Sequence, residues 1–592
     1  MNRICVLLLV VPTLGLAQSP DSLSFLTAAE SIEEFLPQDS LESVLEQSVD
    51  GEELSVLDVL ENTIRNDSAV SLDIRTRVST RLQPSKGFND GTYLGSPFKS
   101  YERVRFVQGD RLFGGFLMEK DAGEPKFNDF MSGYICVREL GFVRSVVIGD
   151  YLVEAGQGVA VWRGFDARKG SEVVVPVRRN GRGLFPYASS DENNFLRGIA
   201  SDFAFRPFSV IVFYSKKRVN ASIDSAGNVT SIYTAGYFRT TTEQEKRGAF
   251  SETTAGVRGA YVLSPQSSVG IVGYQNWFSR VVLVPGAGFE GDRQRIVSVD
   301  YRLGLGKLHL FGEWATINSA VGGISAVHAQ PSEQVAFVTS YRNYPARFFS
   351  MHGNAFAERG SNERGWYTGV TLHPTRKIGL SAYYDQFTFP EQTSSSVFSG
   401  GGNETMIRIE VALLRNLRLA ARYRRRIALE NNAVVDLFGR SVRVDVPKRL
   451  DAYRVNVDFR LRGGTQLRTR FEYSEARFPL LQRGILVYED LNFHPLPQLL
   501  LDARVVLFQT DSYHAGIGEY ESDLPGALTA PILFGTGVRW YVHLRYEIGP
   551  AICVSTKYTE SVRDDVKTVG SGLDELPTNR DNRLSLQVDA RF

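Results

Sequence analysis

YRVNVDFRL, Tyr453 to Leu461, alternates residue by residue between two chemical types. The odd-numbered positions are apolar or aromatic: Tyr453, Val455, Val457, Phe459 and Leu461. The even-numbered positions are charged or polar: Arg454, Asn456, Asp458 and Arg460. Because successive side chains of a β-strand point to opposite faces, this period of two predicts a strand with one apolar and one polar face.

The same alternation begins at Ser71 and recurs along the rest of the chain. Residues 72–78 and residues 538–547 follow it as regularly as residues 453–461. An antiparallel sheet with one face in water also alternates in this way, so the pattern predicts an all-β protein without choosing between a soluble sandwich and a membrane barrel.

Two lengths of connection separate the alternating stretches. Eleven are tight turns, at Gln108-Gly109-Asp110, Leu140-Gly141-Phe142, Arg206-Pro207, Ser264-Pro265, Leu303 to Gly306, Asn343 to Pro345, His373-Pro374, Arg415-Asn416, Gly463-Gly464, His494 to Pro497 and Gly549-Pro550. Twelve others are longer and mostly polar, at 84–97, 120–130, 151–192, 217–250, 278–292, 316–332, 356–363, 387–402, 425–448, 477–480, 513–533 and 559–579. Strict alternation of short and long connections is typical of outer-membrane barrels.

Those connections join about 24 strands, with 22 to 26 as the range. The final strand carries Leu584, Leu586, Val588, Ala590 and Phe592 and ends on an aromatic carboxyl terminus, which resembles the terminal signature of bacterial outer-membrane proteins. We therefore predict an all-β fold, a transmembrane antiparallel outer-membrane β-barrel over residues 71–592 in contact with outer-membrane lipid. The alternative is a large secreted all-β protein.

Residues 1–17 are typical of a secretory signal peptide. Arg3 provides a positive start, residues 4–16 an apolar stretch, and small residues precede Gln18. Cys5 lies inside the apolar stretch, so lipid attachment to a cysteine is not expected. Beyond the signal no window approaches the roughly 20 apolar residues of a spanning helix. Cys136 and Cys553, the two remaining cysteines, do not form a disulfide framework.

Residues 18–70 differ from the rest in charge and periodicity. They hold thirteen Asp or Glu and one basic residue, Arg65, for a net charge of −12. Because the whole chain carries +1 and Arg3 contributes +1, residues 71–592 carry +12. Apolar residues at helical spacing, interrupted by Pro37, predict a short acidic α-helical region in the periplasm. A simple solvated acidic face is the alternative.

Four stretches between residues 93 and 198 carry longer motifs: YLGSPFKSYERVRF, FLMEKDAGEPKF, GDYLVEAGQGVAVWRGF and RRNGRGLFPYASSDENNFLRG. They resemble a family of large Bacteroidetes-type outer-membrane proteins labelled helix-hairpin-helix domain-containing. The resemblance implies a Gram-negative outer-membrane barrel preceded by a periplasmic helical region. It implies no settled biochemical activity.

The chain departs from that family where a helix-hairpin-helix unit should be. Such a unit presents the backbone amides of a glycine-containing hairpin to a phosphate, and residues 18–70 contain one glycine, Gly51, in no such hairpin. A net charge of −12 also repels a polyanion. No direct nucleic-acid binding is expected.

No catalytic constellation is visible in the sequence. The seven histidines are scattered singly, without the spacing of a metal pair, and no serine occupies a Gly-x-Ser-x-Gly elbow. His543, between Arg539 and Arg545 on a polar face, is the one histidine that the pattern places among charges. We expect no enzyme, no metal and no cofactor. A hydrolase site built from residues distant in sequence is the alternative.

A barrel of about 24 strands needs something to narrow its bore, because the bore widens with strand number. The longest connection, 151–192, is the candidate. It mixes aromatic residues with charges, and its predicted constriction residues are Arg163, Arg168, Lys169, Arg178, Arg179, Arg182 and Tyr187. Lumen-facing positions on the strands are Arg75, Arg77, Arg454, Arg468, Arg539 and His543. The alternative for residues 151–192 is an ordinary surface loop.

These features predict a channel or transport component for polar solutes, with anions favoured by the arginines. The acidic region would dock at the basic periplasmic mouth or bind another envelope protein, and the outer loops would offer further binding surfaces. The competing function is a non-conducting scaffold of a secretion, DNA-uptake or surface-assembly machine.

Overall fold

The alternating strands pair edge to edge in a computed structural model that describes residues 70–162, 169–284, 289–391, 400–435 and 441–592. In chain order the strands are β1 (Val70–Arg81), β2 (Phe98–Gln108), β3 (Leu112–Lys120), β4 (Phe130–Leu140), β5 (Val143–Glu154), β6 (Gly183–Pro186), β7 (Leu196–Phe205), β8 (Phe208–Val219), β9 (Ala221–Ile223), β10 (Val229–Ile232), β11 (Phe250–Ser264), β12 (Ser267–Val284), β13 (Phe289–Leu305), β14 (Leu308–Ile317), β15 (Ala320–Ser332), β16 (Val335–Tyr344), β17 (Glu363–Thr375), β18 (Ile378–Phe389), β19 (Gly400–Leu414), β20 (Leu417–Val435), β21 (Ser441–Arg460), β22 (Gln466–Arg477), β23 (Leu481–Leu496), β24 (Leu499–Thr510), β25 (Ile517–Gly518), β26 (Ile532–Leu533), β27 (Thr536–Ile548), β28 (Ile552–Arg563) and β29 (Arg580–Arg591).

Twenty-four of these strands form a closed antiparallel wall within the described residues. Each wall strand pairs with the next along the chain, and β1 pairs with β29 from Asp73 opposite Arg591 to Arg81 opposite Arg583. The five short strands β6, β9, β10, β25 and β26 lie in connections. The predicted barrel class and strand number are confirmed.

The stretch YRVNVDFRL lies in β21 up to Arg460 and shows how the wall separates apolar from charged residues. Arg454 is 1% exposed and Asn456 is buried, whereas Tyr453 and Val455 are 45% and 44% exposed. The other wall strands repeat this division, with exposed apolar side chains outside and buried charged side chains inside. The outward apolar surface is what a lipid bilayer requires of a barrel wall. The fold is therefore an outer-membrane type of barrel.

The two ends of the barrel differ in their connections. At one end, which we call the short-turn end, connections such as residues 109–111, 141–142 and 497–498 are a few residues long. The longer connections, including residues 155–195, 345–362 and 511–535, meet at the opposite end, which we call the long-connection end.

One region of the predicted strand map is wrong. Residues 316–332 were expected to be a long connection and Asn343 to Pro345 a tight turn, but β15 occupies residues 320–332. The pair Gly322-Gly323 lies inside β15. In the structure a Cβ on Gly322 would lie 2.8 Å from both the Asn343 carbonyl oxygen and the Phe348 ring. These glycines therefore permit close packing inside a strand and mark no loop.

Other strand boundaries differ from the predicted ones, although the strands follow in the predicted order. The predicted connection 425–448 contracts because β20 and β21 pair up to Val435 opposite Ser441. The turn after β17 lies past Thr375, two residues beyond the predicted His373-Pro374. The predicted signal peptide and acidic helical region lie outside the described residues.

Helices are few and short in the described chain. They are α1 (Lys86–Asn89), α2 (Thr241–Glu245) and three 3-10 turns at Arg462–Gly464, Tyr513–Ala515 and Gly572–Asp574. A capping box between Thr240 and Glu243 begins α2. None of the helices in the described ranges is long and apolar enough to span a membrane.

Candidate functional site

Residues 155–195, the first inward segment, connect β5 to β7. Apart from residues 163–168, which lie outside the described ranges, its apolar side chains are almost all buried. Val159, Val161 and Val173 belong to the same core as Phe311 of β14 and Tyr367 of β17, whose side chains face away from lipid. The described part of this segment is thus packed against the inner face of the wall.

Glu313 of β14 is the main polar contact of this segment. Its carboxylate accepts hydrogen bonds from the backbone N–H groups of Gln157 at 2.7 Å, Val159 at 2.9 Å and Ala160 at 3.0 Å. Gly156 makes the approach possible, because its φ is +56° and a Cβ there would lie 2.5 Å from the Glu313 carboxylate. One wall carboxylate therefore satisfies three buried backbone donors that no secondary structure pairs.

Tyrosine hydroxyls and a second connection complete the attachment. Tyr274 donates to the carbonyl oxygen of Ala160 at 2.7 Å, and Tyr367 donates to that of Val173 at 2.8 Å. Residues 345–362 also turn inward. The Trp162 N–H donates to the His352 carbonyl at 2.7 Å, and backbone hydrogen bonds therefore link two different connections inside the lumen.

Among the described cations of the first inward segment, Lys169 is the most buried. Its ammonium donates to Asp385 at 3.0 Å and Glu404 at 3.2 Å on the wall, and to Glu358 in residues 345–362. Burial acts to raise the pKa of Glu358, but the adjacent Lys169 and Arg426 outweigh it and hold that pKa at about 2. The cluster is charge-compensated by groups from three parts of the chain.

The other predicted constriction residues occupy separate places. Arg178 lies 3.4 Å from the His328 ring, and Arg179 donates to the Asn354 carbonyl. Arg182 pairs with Glu154 at 3.0 Å, and Tyr187 donates to the Asp191 carbonyl at 2.8 Å. Arg163 and Arg168 lie outside the described residues. The structure thus spreads these side chains along the segment and does not gather them into one ring.

The second inward segment, residues 511–535, contains the connection 513–533, which the sequence predicted as one of the long connections. Its mini-hairpin β25–β26 is buried, and three acidic side chains alternate between the two strands, directly after β25: Glu519, Glu521 and Asp523. All three interact with cations that project from the inner face of the wall.

The ion pairs of this segment are short and almost fully buried. Glu519 lies 3.1 Å from Arg470. Glu521 accepts from Arg539 and, at 3.2 Å, from Lys557. Burial alone would raise the pKa of Glu521, but Arg539 and Lys557 hold it at about 2. Paired charges therefore attach this segment to the wall.

The predicted lumen-facing residues all have polar partners on the inner face. Arg75 pairs with Asp589 at 2.5 Å, Arg77 donates to Gln587 at 2.7 Å, Arg454 pairs with Glu472 at 2.6 Å, Arg468 pairs with Asp458 at 2.5 Å, Arg539 pairs with Glu521, and His543 lies 3.0 Å from Asp502. Arg77 also donates to the Pro525 carbonyl, so the second inward segment reaches the β1–β29 seam.

An acidic group closes the far end of the first inward segment. Burial and the neighbouring charges of Glu124, Asp121 and Glu119 raise the pKa of Glu192 to about 9. Burial and the charges of Asp121 and Asp129 likewise raise the pKa of Glu124 to about 8. Glu192 of the first inward segment thus lies among carboxylates, whereas Glu521 of the second lies among cations.

Sequence reasoning missed the groups that attach both segments. Glu313 was a lone carboxylate between the apolar residues Phe311 and Ala315 of the same strand face, and that isolation was an available signal. The alternating acids of residues 519–523 continue a period of two through a supposed loop, which was a second signal. Among the described residues no group of three metal-ligating side chains occurs, and Cys136 and Cys553 are not bonded to each other.

Together these features define an outer-membrane type of β-barrel whose own connections enter its lumen. No protein-family model and no curated protein matches the chain.

Solved membrane barrels are similar to it in fold. The siderophore receptor PirA from Pseudomonas aeruginosa is 8% identical over 89% of this chain and 81% of that chain, with a TM-score of 0.42. The siderophore receptor PirA from Acinetobacter baumannii is 8% identical over 89% and 81%, with a TM-score of 0.43. OmpT of Vibrio cholerae is 11% identical over 56% of this chain and 99% of that chain, with a TM-score of 0.28. The similarity concerns barrel architecture alone.

Proposed function

We propose that the protein is an outer-membrane channel or transport component for polar solutes, in which the two inward segments constrict the lumen. One observation carries the proposal. Charged and polar groups of both segments are buried against the inner face of a wall wide enough to leak without them. The short-turn end faces the periplasm in this arrangement, as in other single-chain barrels.

The pairing of the lumenal charges bears on which solutes would pass. The arginines expected to attract anions lie beside carboxylates, as Arg454 does beside Glu472. Compensated charges attract water and polar groups without a strong single-sign field. We therefore favour polar solutes with a weak preference for anions.

Single-channel conductance in a planar bilayer tests this function. We expect a small steady current from the intact protein and a larger one after deletion of residues 163–190 or residues 513–533. Deletion of residues 224–227, a turn between β9 and β10 outside both inward segments, is the control and should change nothing. Equal conductance in all four proteins would show that the inward segments do not constrict the pathway.

The same packing favours a second candidate function. The core that includes the first inward segment extends from Phe113 of β3 to Met406 of β19, so it closes much of one side of the lumen. A non-conducting scaffold of a secretion, DNA-uptake or surface-assembly machine needs such a sealed barrel. Silence in the bilayer from the intact protein and both deletion variants would favour this candidate.

Residues 18–70 supply the proposed periplasmic contact. Val70 lies opposite Gln108 at the short-turn end, so residues 18–70 are joined to the wall at that end. Its charge of −12 favours docking on basic groups there or binding of a basic envelope protein, and it disfavours nucleic acid. Docking by charge predicts that protection of residues 18–70 from protease is lost at high salt. We propose no catalysis.

A further inference from the structure

Four neighbouring strands carry charged residues on the lipid-facing side of the wall. Arg425 of β20 lies opposite Asp451 of β21, Asp451 opposite Glu475 of β22, and Glu475 opposite Arg483 of β23. These residues share the face of Tyr453 and Val455, which are exposed outside the barrel. The row is therefore on the outer surface and takes no part in the lumen.

Asp451 organises two of the arginines. Its carboxylate accepts from Arg425 Nε at 2.8 Å, from Arg449 Nε and from the Tyr423 hydroxyl at 2.7 Å. The Asp451 side chain is only 4% exposed, whereas Arg425 and Arg449 are 39% and 40% exposed. The carboxylate thus fixes each guanidinium through one nitrogen and leaves part of each group open to the exterior.

Two further arginines give this face an excess of positive charge. Arg477 and Arg483 are exposed, and in the described part of the chain their side chains have no hydrogen-bond partner. Arg449 and Arg477 lie directly opposite each other, and like charges in that relation are destabilising unless an anion joins them. We call Arg425, Arg449, Arg477 and Arg483 the outer arginine cluster. Asp451, Glu475 and Asp511, whose carboxylate accepts from the Arg483 backbone N–H at 2.8 Å, compensate only part of it.

The depth of the cluster is marked by aromatic residues. One row nearer the short-turn end, the rings of Tyr423, Tyr453 and Tyr473 follow each other at 5.0 and 6.1 Å between centroids. Beyond them lie the exposed apolar residues Val455 and Phe471. Tyrosine belts lie where a barrel leaves the hydrocarbon layer. The cluster is therefore at headgroup depth on the long-connection side.

We propose that the outer arginine cluster binds the phosphate of a lipid headgroup in the leaflet on the long-connection side. Guanidinium groups bind phosphate through paired, charge-assisted hydrogen bonds, and the exposed apolar wall below would receive the acyl chains of the same molecule. The inference rests on the membrane placement given under the proposed function, but it requires no conduction through the lumen.

Native mass spectrometry of the full chain in detergent tests the site. The probes are lipid A bearing two phosphates, the same lipid A after dephosphorylation, and inorganic phosphate alone. We expect the phosphorylated lipid to be retained about tenfold more tightly than the dephosphorylated one, and inorganic phosphate at equal concentration not to displace it. Displacement by inorganic phosphate would mean a free-anion site and would overturn the lipid assignment.

Substitutions distinguish lipid binding by the outer arginine cluster from lipid binding elsewhere on the barrel surface. R449Q with R483Q should weaken retention of phosphorylated lipid A about tenfold, whereas R449K with R483K, which keeps the charge but not the paired guanidinium hydrogen bonds, should weaken it less. R293Q is the matched control, because Arg293 is 68% exposed at the same end of β13 and outside the cluster. Heat-modifiable migration in a gel verifies folding. Unchanged retention in the glutamine pair would refute the site, and conductance should remain as in the unaltered protein.

Discussion

The two inward segments reach the same lumen by different chemistry. Residues 155–195 are held mainly through their backbone, which donates to Glu313 and accepts from Tyr274 and Tyr367. Residues 511–535 are held mainly through side chains, as in the pairing of Glu521 with Arg539. The backbone attachment requires the chain to approach the Glu313 carboxylate closely, and Gly156 permits this because it has no Cβ. A side-chain attachment depends on charge, so it requires matched ions.

This difference determines how each segment should detach from the wall when one of its partners is removed. Loss of one wall carboxylate leaves several backbone donors of the first segment buried without acceptors. Loss of one wall cation leaves the second segment with other cations nearby. The first attachment is therefore expected to break sharply and the second gradually.

Substitution E313A should have the largest effect. It leaves three buried N–H groups without their acceptor, at a cost of about 1–3 kcal/mol for each. We expect the first inward segment to become cleavable by protease in the folded barrel and the conductance to rise. E333A, at an exposed turn on β15–β16, is the control. A protected segment in E313A would show that the hydrophobic core alone holds it.

Substitution R539M should loosen the second segment less. Removal of one partner of a buried pair costs about 3–5 kcal/mol when the other charge is left alone, but Lys557 still lies 3.2 Å from Glu521. We expect partial protease sensitivity of residues 511–535 in R539M and full sensitivity when K557M is added. Equal sensitivity of the single and double variants would contradict the shared pairing.

The segments should respond to pH in opposite directions. The pKa of Glu192 is raised to about 9 in the folded protein, first by burial. Its contribution to the stability of the folded segment is therefore complete below the ordinary glutamate pKa and is lost as pH rises through 9. The pKa of Glu521 is held at about 2 in the folded protein. Its contribution to the stability of the folded segment is therefore complete above the ordinary glutamate pKa and is lost as pH falls through 2.

Spin labels report this contrast without a protease. Labels at S189C and A527C, with Cys136 and Cys553 replaced by serine, would read each segment separately. We expect the label at 189 to become mobile between pH 7 and 10, and the label at 527 between pH 5 and 2. Loosening of both at the same extreme of pH would contradict the opposite electrostatic surroundings.

Single tyrosine hydroxyls should have the smallest effect. Y274F or Y367F removes one hydrogen bond to a carbonyl of the first inward segment, worth about 1 kcal/mol net. Thermal unfolding followed by circular dichroism should show a small decrease in the melting temperature. Y384F, on the exposed outer face, should show none. A larger decrease than in E313A would reverse the ranking of the attachments.

The sequence predicted the wall because wall formation is local. Each strand of the wall needs only its own period of two, and YRVNVDFRL contains that rule. The same rule failed at Gly322, where close packing by Phe348 selects a residue that usually marks a turn. The sequence marked Glu313 as unusual but could not identify its partners, because it binds residues more than 150 positions away and no local pattern records that contact.

The β1–β29 seam has a consequence for the order of assembly. Arg75 and Asp589 are 514 positions apart, whereas the other wall pairs join neighbouring strands. Closure entropy grows only by about 0.6 kcal/mol for each doubling of the loop, but contacts of such separation form slowly. Successive hairpins can therefore pair one after another into an open sheet. Its two edge strands, β1 and β29, remain unpaired until the last step. That open sheet is the species most exposed to pairing with another chain.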